Sequence, residues 1–333
     1  MTKPAILIAR AVFPETLAKL AQYFTVESNQ EDVIWSREEF TTRLQGKAGV
    51  FTTGGERIDA ALLAACPELK ICANMAVGYN NFDVPAMTAA GVQATNAPDV
   101  LTETTADMAF ALLMATARRV SESEAYLRAG QWTKWSYDMF MGADIHDSTL
   151  GILGMGRIGQ AIARRGALGF GMQVVYHNRS QLDAATEASV NARYVSKTEL
   201  FQQADHIVLV VPYSAESHHT VAAFEIALMK STATLINIGR GGLIDENALA
   251  AALAANQILG AGLDVFEGEP TVNPALLALK NVVLTPHTGS ASAPTRRAMA
   301  NLAADNLIGY LTEGKALTPL NAPLNTQLGR ANA

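Results

Sequence analysis

Short apolar runs alternate with amphipathic segments along most of the chain. The first run, residues 5–9, is followed by PETLAKLAQYF, in which Leu17, Leu20, Ala21 and Phe24 recur at helical spacing. The same alternation returns in the segments GKAGVFTTG, DAALLAACPEL, KICANM, VPAMTAA and QATNAP. Strands that alternate with helices favour parallel sheets covered by helices on both faces. The pattern therefore predicts an α/β fold.

Residues 101–130 break this alternation. They favour helix without an internal proline, as one helix or two that start at Thr102. Residues 131–149 then lack clear periodicity and contain the aromatic residues Trp132, Trp135, Tyr137 and Phe140. Such a segment either covers a core or forms an exposed arm that packs on another subunit. The sequence leaves both alternatives open.

A glycine-rich turn follows the apolar run at residues 150–153. Gly154, Gly156 and Gly159 have G-x-G-x-x-G spacing, and apolar residues then recur on one helical face. This context of strand, turn and helix is the one that dinucleotide binding requires. Gly154 allows the sharp turn, Gly156 lets the backbone approach a pyrophosphate, and Gly159 lets the helix pack closely on the strand. The turn therefore predicts a dinucleotide site.

Several later strands are predicted to end in polar residues. The segments are MQVVYHNRS, ADHIVLVVP, ATLINIGRG, GAGLDVFEGEP and NVVLTPHTGS. Ligands of open α/β sheets bind beyond the carboxyl ends of the strands, so these polar residues are expected to converge on one crevice. The segment RRAMANLAADNLIGYLTEG is predicted to form a helix that returns to the first α/β unit, followed by an extended tail.

Composition and charge narrow the classes of function. A chain of 333 residues with 49% hydrophobic content is large enough for two domains. The net charge of −6 provides no basic footprint for nucleic acid or an anionic membrane, so a bound anion must be held by local arginines and backbone amides. Cys66 and Cys72 do not make a disulfide framework and suit a reducing cytosol. With no signal peptide and no apolar run of transmembrane length, a cytoplasmic protein is expected.

Four motifs in order resemble one enzyme family. GMGRIGQAIARR, INIGRGGLIDENAL, GAGLDVFEGEP and PHTGS together resemble the D-isomer-specific 2-hydroxyacid dehydrogenases. VLTETTAD and PHTGSAS resemble, more narrowly, the glyoxylate/hydroxypyruvate and 2-ketogluconate reductases of that family. The resemblance runs from about Pro4 to Pro323.

The resemblance implies two doubly wound parallel-sheet domains with an active-site cleft between them. The expected domains are a discontinuous, flavodoxin-like substrate domain at residues 1–100 plus 291–333 and a Rossmann coenzyme domain at residues 101–290. The resemblance also implies a homodimer held mainly by the coenzyme domains, which favours the exposed-arm interpretation of Trp132 to Phe140.

Reduction of a 2-oxo acid requires a hydride at the keto carbon, a proton at its oxygen and an anchor for its carboxylate. His287 is the candidate proton donor, because imidazole titrates near pH ~6.5. The resemblance places Glu269 as its partner. Arg240 offers a planar fork that matches a carboxylate. Val77 and Gly78 correspond to the loop whose backbone amides take the substrate carboxylate in this family.

The residues after the second strand of the predicted coenzyme domain bear on coenzyme choice. NAD enzymes carry an acidic side chain about twenty residues beyond the glycines, where it binds the ribose 2′-hydroxyl. Here Asn178 stands at that place, with Arg179 and Ser180 beside it. These residues offer a 2′-phosphate a cation and a hydroxyl without repelling it. The sequence therefore predicts NADPH, with NADH as the weaker coenzyme.

Further coenzyme contacts are expected from residues spread over the predicted coenzyme domain: Thr105, Arg157, Ile158, Val211, Pro212, Ile238, Asp264 and Gly289. Asp264 could equally be a structural carboxylate that tunes the site. No metal is predicted. The five histidines other than His287 are expected on the surface or in loops, and the adjacent His218 and His219 are expected to face different ways and make a poor metal pair.

The leading hypothesis is an NADPH-dependent reductase of glyoxylate and hydroxypyruvate, with 2-ketogluconate as a further substrate. A phosphoglycerate-type dehydrogenase is disfavoured because Asn178 argues against NAD. A second class stays open, a dinucleotide-sensing binding protein that resembles the corepressors built on this fold. Turnover separates this class from an enzyme.

Overall fold

The computed structural model describes residues 3–323. It divides into two compact units. The first unit comprises the described residues of Met1–Leu101 and Ser292–Ala333, and the second comprises Thr102–Ala291. Residues 324–333, which the sequence analysis assigns to the discontinuous substrate domain, lie outside the described residues. Within residues 3–323, none of the helices combines the length and the apolar character that a membrane span needs.

Strands and helices alternate along both units. The strands are β1 (Ala5–Ile8), β2 (Thr25–Ser28), β3 (Gly49–Thr52), β4 (Ile71–Asn74), β5 (Gln93–Thr95), β6 (Thr149–Leu153), β7 (Gln173–His177), β8 (Ala192–Tyr194), β9 (His206–Leu209), β10 (Thr234–Asn237), β11 (Gly260–Leu263) and β12 (Val282–Leu284). The helices are α1 (Pro14–Tyr23), α2 (Arg37–Leu44), α3 (Ala60–Ala65), α4 (Val84–Ala89), α5 (Thr102–Ala117), α6 (Val120–Arg128), α7 (Arg157–Phe170), α8 (Ala184–Ser189), α9 (Lys197–Gln203), α10 (Ala223–Leu228), α11 (Glu246–Ala254), α12 (Pro274–Leu277) and α13 (Ala293–Glu313).

The first unit is built on a parallel sheet. Its described strands lie in the order β2-β1-β3-β4-β5, which is the flavodoxin-like order of a doubly wound fold. The central strands β3 and β4 are buried along their whole length, as expected for a sheet covered on both faces. Helix α13 packs on this sheet, with Leu307 in one core cluster with Phe51 and Ile71. The C-terminal helix therefore belongs to the first unit.

The second unit contains a longer parallel sheet. Its described strands lie in the order β12-β11-β10-β9-β6-β7-β8. The chain moves outward from β6 through β7 to β8, then returns to β9 on the other side of β6 and continues outward to β12. The order therefore reverses between β6 and β9. Crevices at such reversals, beyond the carboxyl ends of the strands, are where ligands of open α/β sheets bind.

The predicted α/β fold is confirmed, but the pattern of apolar residues missed two edge strands. Both β2 and β8 lie at sheet edges and are only partly buried. An edge strand that is covered incompletely does not need the continuous apolar run that marks a central strand. Tertiary pairing, rather than local pattern, decides these two elements.

The segment 101–130 forms two helices. Thr102 is the first helical residue of α5, and the chain breaks at Arg119, whose φ of 51° is left-handed. The carbonyl oxygen of Ala117 accepts the N–H of Ala143 at 2.9 Å, so the segment after α6 packs against the end of α5. This contact is distant in sequence, which explains why the sequence left one helix or two open.

The aromatic segment after α6 is exposed. Trp135 is 76% exposed and Tyr137 is 82% exposed, so these side chains do not cover the core of their own chain. Of the two alternatives, the structure therefore favours an exposed arm.

The expectation that His206 lies on the surface or in a loop is wrong. It is the first residue of β9 and is fully buried. Its Nε2 donates to the carbonyl oxygen of Asp144 at 3.0 Å, and its Nδ1 accepts from Thr234 Oγ1 at 2.8 Å. Burial lowers the pKa of His206, and the hydrogen bond to Asp144 opposes this effect only in part. The ring is therefore a neutral, fully hydrogen-bonded core residue.

We expect His206 to make the free energy of unfolding dependent on pH. The unfolded chain takes up a proton near pH ~6.5, whereas the folded chain does so only at lower pH. The stability contributed by the neutral ring is therefore complete above ~6.5 and is lost as the pH falls toward the folded pKa. Relative to His206→Gln, the wild type should lose up to about 1.4 kcal/mol per pH unit in this window. Urea unfolding at several pH values measures this difference.

His146→Gln provides the control, because it removes a histidine that is exposed rather than buried. The free energy of unfolding of this variant should depend on pH as that of the wild type does. Equal pH slopes for His206→Gln and the wild type would contradict the role assigned to His206.

Candidate active site

The glycine turn lies where the strand order of the second unit reverses. Gly154 follows β6 with a φ of +107°, and a Cβ there would lie 2.8 Å from the backbone nitrogen of Val211, which follows β9. A Cβ at Gly159 would lie 2.2 Å from the carbonyl oxygen of Gly154. Packing therefore requires both glycines. A Cβ at Gly156 would meet no protein atom within 4 Å, so packing does not explain that glycine.

Asn178 ties the end of β7 to the glycine turn. Its Oδ1 accepts the backbone N–H of Met155 at 2.7 Å. Arg179 and Ser180 follow it and are exposed. Glu216 lies near Arg179. A hydrogen bond from Ser214 is the main cause that lowers the pKa of Glu216, and the charge of Arg179 lowers it further.

His287 and Glu269 form a hydrogen-bonded pair at the carboxyl edge of the same sheet. The distance from His287 Nδ1 to Glu269 Oε2 is 2.7 Å. Because a carboxylate only accepts hydrogen bonds, Nδ1 carries the hydrogen and donates. The pair therefore determines which ring nitrogen of His287 stays available for a second proton, namely Nε2. The His287 side chain remains half-exposed.

The other oxygen of Glu269 is also held. Oε1 accepts the backbone N–H of Phe266 at 2.9 Å. Burial raises the pKa of Glu269, but the hydrogen bonds from His287 and Phe266 outweigh it, and the charge of Arg240 adds to their effect. The net result is a pKa below the usual value of a glutamate. Glu269 is thus kept as a carboxylate facing His287.

Arg240 lies in the turn after β10. Asn237, the buried last residue of β10, donates from Nδ2 to the carbonyl oxygen of Arg240 at 2.9 Å and accepts the N–H of Gly239 at 3.1 Å. Burial lowers the pKa of Arg240, and the Glu269 carboxylate opposes this change. Since a guanidinium is not deprotonated in proteins, Arg240 presents a desolvated positive charge.

Gly241 allows the Arg240 and Glu269 loops to touch. A Cβ at Gly241 would lie 1.8 Å from the backbone carbon of Phe266. No other residue fits there, so the glycine after Arg240 sets the approach of the two loops.

Asp264 holds the loop that carries His287. The carboxylate is buried directly after β11. Its Oδ1 accepts the N–H of Thr288 at 2.7 Å and the hydroxyl of Thr285 at 2.7 Å, and its Oδ2 accepts the N–H of Gly289 at 2.7 Å. His287 itself has a left-handed φ of 54°, an uncommon conformation that requires support from its surroundings. The sequence left two roles open for Asp264, a coenzyme contact and a structural carboxylate. These hydrogen bonds favour the structural role.

The remaining predicted coenzyme residues lie around these loops of the second unit. Thr105 is buried on α5, 3.6 Å from the position of a Cβ at Gly289. Arg157 and Ile158 begin α7, whose N-terminal cap is Gly156. Two further residues, Val211 and Pro212, follow β9, and Ile238 follows β10.

Comparisons with known proteins identify the family of this chain. The family model for the D-isomer specific 2-hydroxyacid dehydrogenase, NAD binding domain, matches residues 110–289. A glyoxylate reductase of Thermococcus onnurineus is 45% identical over 312 residues, which is 92% of this chain and 93% of that protein. The glyoxylate/hydroxypyruvate reductase B of Klebsiella pneumoniae strain 342 is 44% identical over 93% of this chain and 95% of its own length.

A solved structure is similar over both units. It is the NADPH-dependent glyoxylate/hydroxypyruvate reductase of Sinorhizobium meliloti in complex with NADP and malonate, with a TM-score of 0.84 and 36% identity over 96% of this chain and 97% of that chain. The chain belongs to the D-isomer-specific 2-hydroxyacid dehydrogenase family. The match of the NAD binding domain model lies within the second unit.

In this family member, the predicted substrate loop lies in the first unit, after β4. The carbonyl oxygen of Val77 accepts from Asn96 Nδ2 at 2.7 Å, and that of Gly78 accepts from Asn74 Nδ2 at 2.9 Å. The two asparagines hold the loop in one conformation through its carbonyl oxygens.

Sequence reasoning missed two residues that position the site of this dehydrogenase. Asn237 shapes the Arg240 turn, and Glu246, the first residue of α11, accepts the N–H of Glu267 at 2.7 Å through Oε1. Both are polar residues beside apolar runs, in LIN and LIDENAL. A polar residue beside an apolar run indicates a buried polar group, and such a group needs hydrogen-bond partners. This pattern could have identified both residues.

One prediction about histidines in this dehydrogenase is wrong. His218 and His219 do not face different ways, because their rings stack with centroids 3.8 Å apart and an interplanar angle of 23°. His219 has a left-handed φ of 49°, a conformation that the sequence pattern did not reveal.

We expect Gly156→Ala and Gly159→Ala to separate ligand binding from packing. Gly159→Ala should lower the free energy of unfolding by about 1–3 kcal/mol, because its Cβ overlaps backbone. Gly156→Ala should change it by no more than about 0.5 kcal/mol but weaken NADPH and NADH binding by about tenfold or more. Urea unfolding and fluorescence titration measure the two effects. Wild-type coenzyme affinity in Gly156→Ala would contradict this assignment.

Proposed function

We propose that this protein reduces small 2-oxo acids to D-2-hydroxy acids with NADPH. The expected substrates are glyoxylate and hydroxypyruvate, with 2-ketogluconate as a further substrate. The observation that carries the proposal is the His287–Glu269 pair, which lies beside Arg240 at the sheet edge that also carries the glycine turn. The names of the Thermococcus and Klebsiella relatives support the substrate class.

Each unit has a proposed task. Residues 101–290 bind the coenzyme, and residues 1–100 plus 291–333 form the substrate domain. The free, buried cysteines Cys66 and Cys72 suit a protein that works in the reducing cytoplasm.

The residues around the glycine turn fit a dinucleotide. Gly156 is the N-terminal cap of α7, and packing against the protein does not require a glycine at this position. The absence of a side chain lets the backbone approach a pyrophosphate at the helix N-terminus. Asn178 accepts a hydrogen bond from the backbone of the glycine turn, and its amide carries no negative charge. Arg179 and Ser180 are then free of an acidic neighbour at position 178 and can hold a 2′-phosphate, which supports NADPH over NADH. The Sinorhizobium enzyme is named as NADPH-dependent.

The proposed chemistry divides among coenzyme and side chains. The bound coenzyme supplies the hydride for the keto carbon. His287 donates from Nδ1 to Glu269, so its Nε2 delivers the proton to the substrate oxygen, and the Glu269 carboxylate stabilises the charged ring. Arg240 pairs with the substrate carboxylate and polarises the carbonyl. For the first unit, the proposed role of the Val77 and Gly78 backbone amides is to bind a substrate carboxylate.

The remaining proposed coenzyme contacts lie on the second unit: Thr105, Gly154, Arg157, Ile158, Gly159, Val211, Pro212, Ile238, Asp264 and Gly289. Asp264 acts there through the loop that it holds, since its oxygens accept from Thr285, Thr288 and Gly289.

We expect His287→Gln to lower kcat by about a hundredfold to ten-thousandfold, because the amide cannot donate and regain a proton. The affinity for NADPH should stay near that of the wild type. Loss of absorbance of NADPH with glyoxylate, hydroxypyruvate, 2-ketogluconate or pyruvate measures turnover and ranks the substrates. His146→Gln, at an exposed position, is the control and should leave turnover unchanged.

Turnover retained in His287→Gln would remove this histidine from its role. Binding of NADPH by the wild type without turnover of any 2-oxo acid would instead favour the dinucleotide-sensing alternative.

We expect Arg179→Ala to raise KM for NADPH by about tenfold or more, because the variant loses a charge-assisted hydrogen bond to the 2′-phosphate. KM for NADH should change little. Steady-state kinetics with both coenzymes measure the split. The exposed Arg193 on β8 provides a matched control, and Arg193→Ala should change neither constant. Equal effects of Arg179→Ala on both coenzymes would defeat the NADPH assignment.

We also propose a homodimer through the coenzyme domains. Helix α6 has no buried residue, and its Leu127 is 55% exposed beside the arm that carries the exposed Trp135 and Tyr137. Apolar groups that remain exposed together are typical of a contact surface. Sedimentation equilibrium should show a dimer that Trp135→Ser weakens, and a compact, fully active wild-type monomer would contradict the proposal.

A further inference from the structure

A cluster of side chains with metal-binding groups includes Glu267, which lies two residues before Glu269 in the chain. His218, His219 and Glu267 each offer a ligand atom, and these atoms lie within 4.8 Å of one another. Among residues 3–323, no other group of three or more histidine, cysteine or acidic side chains has its ligand atoms so close together. The stacking of the two rings brings both imidazoles to the same side of the chain.

The imidazole of His218 is oriented by a tyrosine. The distance from His218 Nδ1 to Tyr213 Oη is 3.0 Å, which leaves Nε2 as the ligand atom. The ring of Tyr213 is itself fixed, because it packs where a Cβ at Gly242 would lie, at 2.6 Å. Metal-binding histidines commonly hydrogen-bond through their other ring nitrogen to an oxygen atom that fixes the orientation of the ring.

The other two ligands are held at their backbones. His219 N–H donates to the carbonyl oxygen of Gly242 at 2.8 Å, and Glu267 N–H donates to Glu246 at 2.7 Å. The side chains meet at a distance of 2.9 Å between His219 Nε2 and Glu267 Oε2. All three ligands are therefore positioned by groups outside the cluster.

We propose that His218 Nε2, His219 Nε2 and the Glu267 carboxylate bind one divalent transition-metal ion such as Zn²⁺, with water completing the coordination. In a tetrahedral zinc site with bonds of about 2.0–2.2 Å, ligand atoms lie about 3.4 Å apart. The ligand atoms lie within 4.8 Å of one another, so binding requires the two stacked imidazoles to tilt until their in-plane lone pairs converge on the ion. The metal takes the place of the hydrogen between His219 and Glu267.

The donor set selects the class of ion. Two imidazoles with one carboxylate suit Zn²⁺, Ni²⁺ and Cu²⁺, whereas Mg²⁺ and Ca²⁺ prefer oxygen ligands throughout. The Cys66 and Cys72 thiols do not compete, because both are buried in the first unit. Partial exposure of the His219 and Glu267 side chains leaves the site accessible to an ion from solution.

Isothermal titration of the tag-free, metal-stripped protein with ZnCl₂ and MgCl₂ tests the proposal without coenzyme or substrate. The wild type should bind one equivalent of Zn²⁺ and no Mg²⁺ at this site. His218→Ala and Glu267→Gln should each weaken Zn²⁺ binding by more than about a hundredfold, and Tyr213→Phe by about tenfold or more. X-ray absorption of the zinc complex should show two imidazole ligands.

Matched controls come from exposed residues outside the cluster. His146→Ala removes another histidine and Glu216→Gln another carboxylate, and both should bind Zn²⁺ as the wild type does. Failure of the wild type to bind a stoichiometric ion, or unchanged affinity in both His218→Ala and Glu267→Gln, would overturn the proposal. Because no turnover is measured, neither outcome depends on the proposed reductase function.

Discussion

The candidate site depends on the hydrogen bonds that the buried carboxylate of Asp264 accepts. This carboxylate lies where β11 ends and accepts hydrogen bonds from three residues of the loop after β12: Thr285, Thr288 and Gly289. Charge-assisted bonds of this kind are about twice as strong as neutral ones. They hold the left-handed backbone of His287, which would otherwise relax to a commoner conformation. The position of the imidazole therefore follows from a neighbouring strand rather than from its own loop.

The charges of the site are balanced across three strand ends. Desolvation disfavours both the Arg240 guanidinium and the Glu269 carboxylate, and each stabilises the other. The hydrogen bond from His287 then keeps Glu269 ionised despite its partial desolvation. Gly241 makes this balance possible, because any side chain there would separate the loops. The partly desolvated Arg240 and Glu269 thus lie together at the edge of the sheet that also carries His287.

The turn that follows β6 is anchored by a side chain that carries no charge. Asn178 accepts the N–H of Met155 through Oδ1, as an aspartate would, so the turn keeps its anchor. Its neutral amide removes a negative charge from the edge of the site. Glu216 lies near Arg179, whose charge lowers the pKa of Glu216 in addition to the larger effect of the hydrogen bond from Ser214.

The sequence by itself determined the α/β alternation, the glycine turn, and the polar residues that follow β10, β11 and β12, because apolar runs and close backbone approaches leave local signatures. Tertiary structure alone decided the edge strands β2 and β8, the break at Arg119, the burial of His206 and the stacking of His218 on His219. These features depend on partners distant in the chain and on left-handed backbone at non-glycine residues. The local sequence pattern predicts neither the distant partners nor the left-handed backbone, because both are stabilised by contacts that form only when the chain has folded.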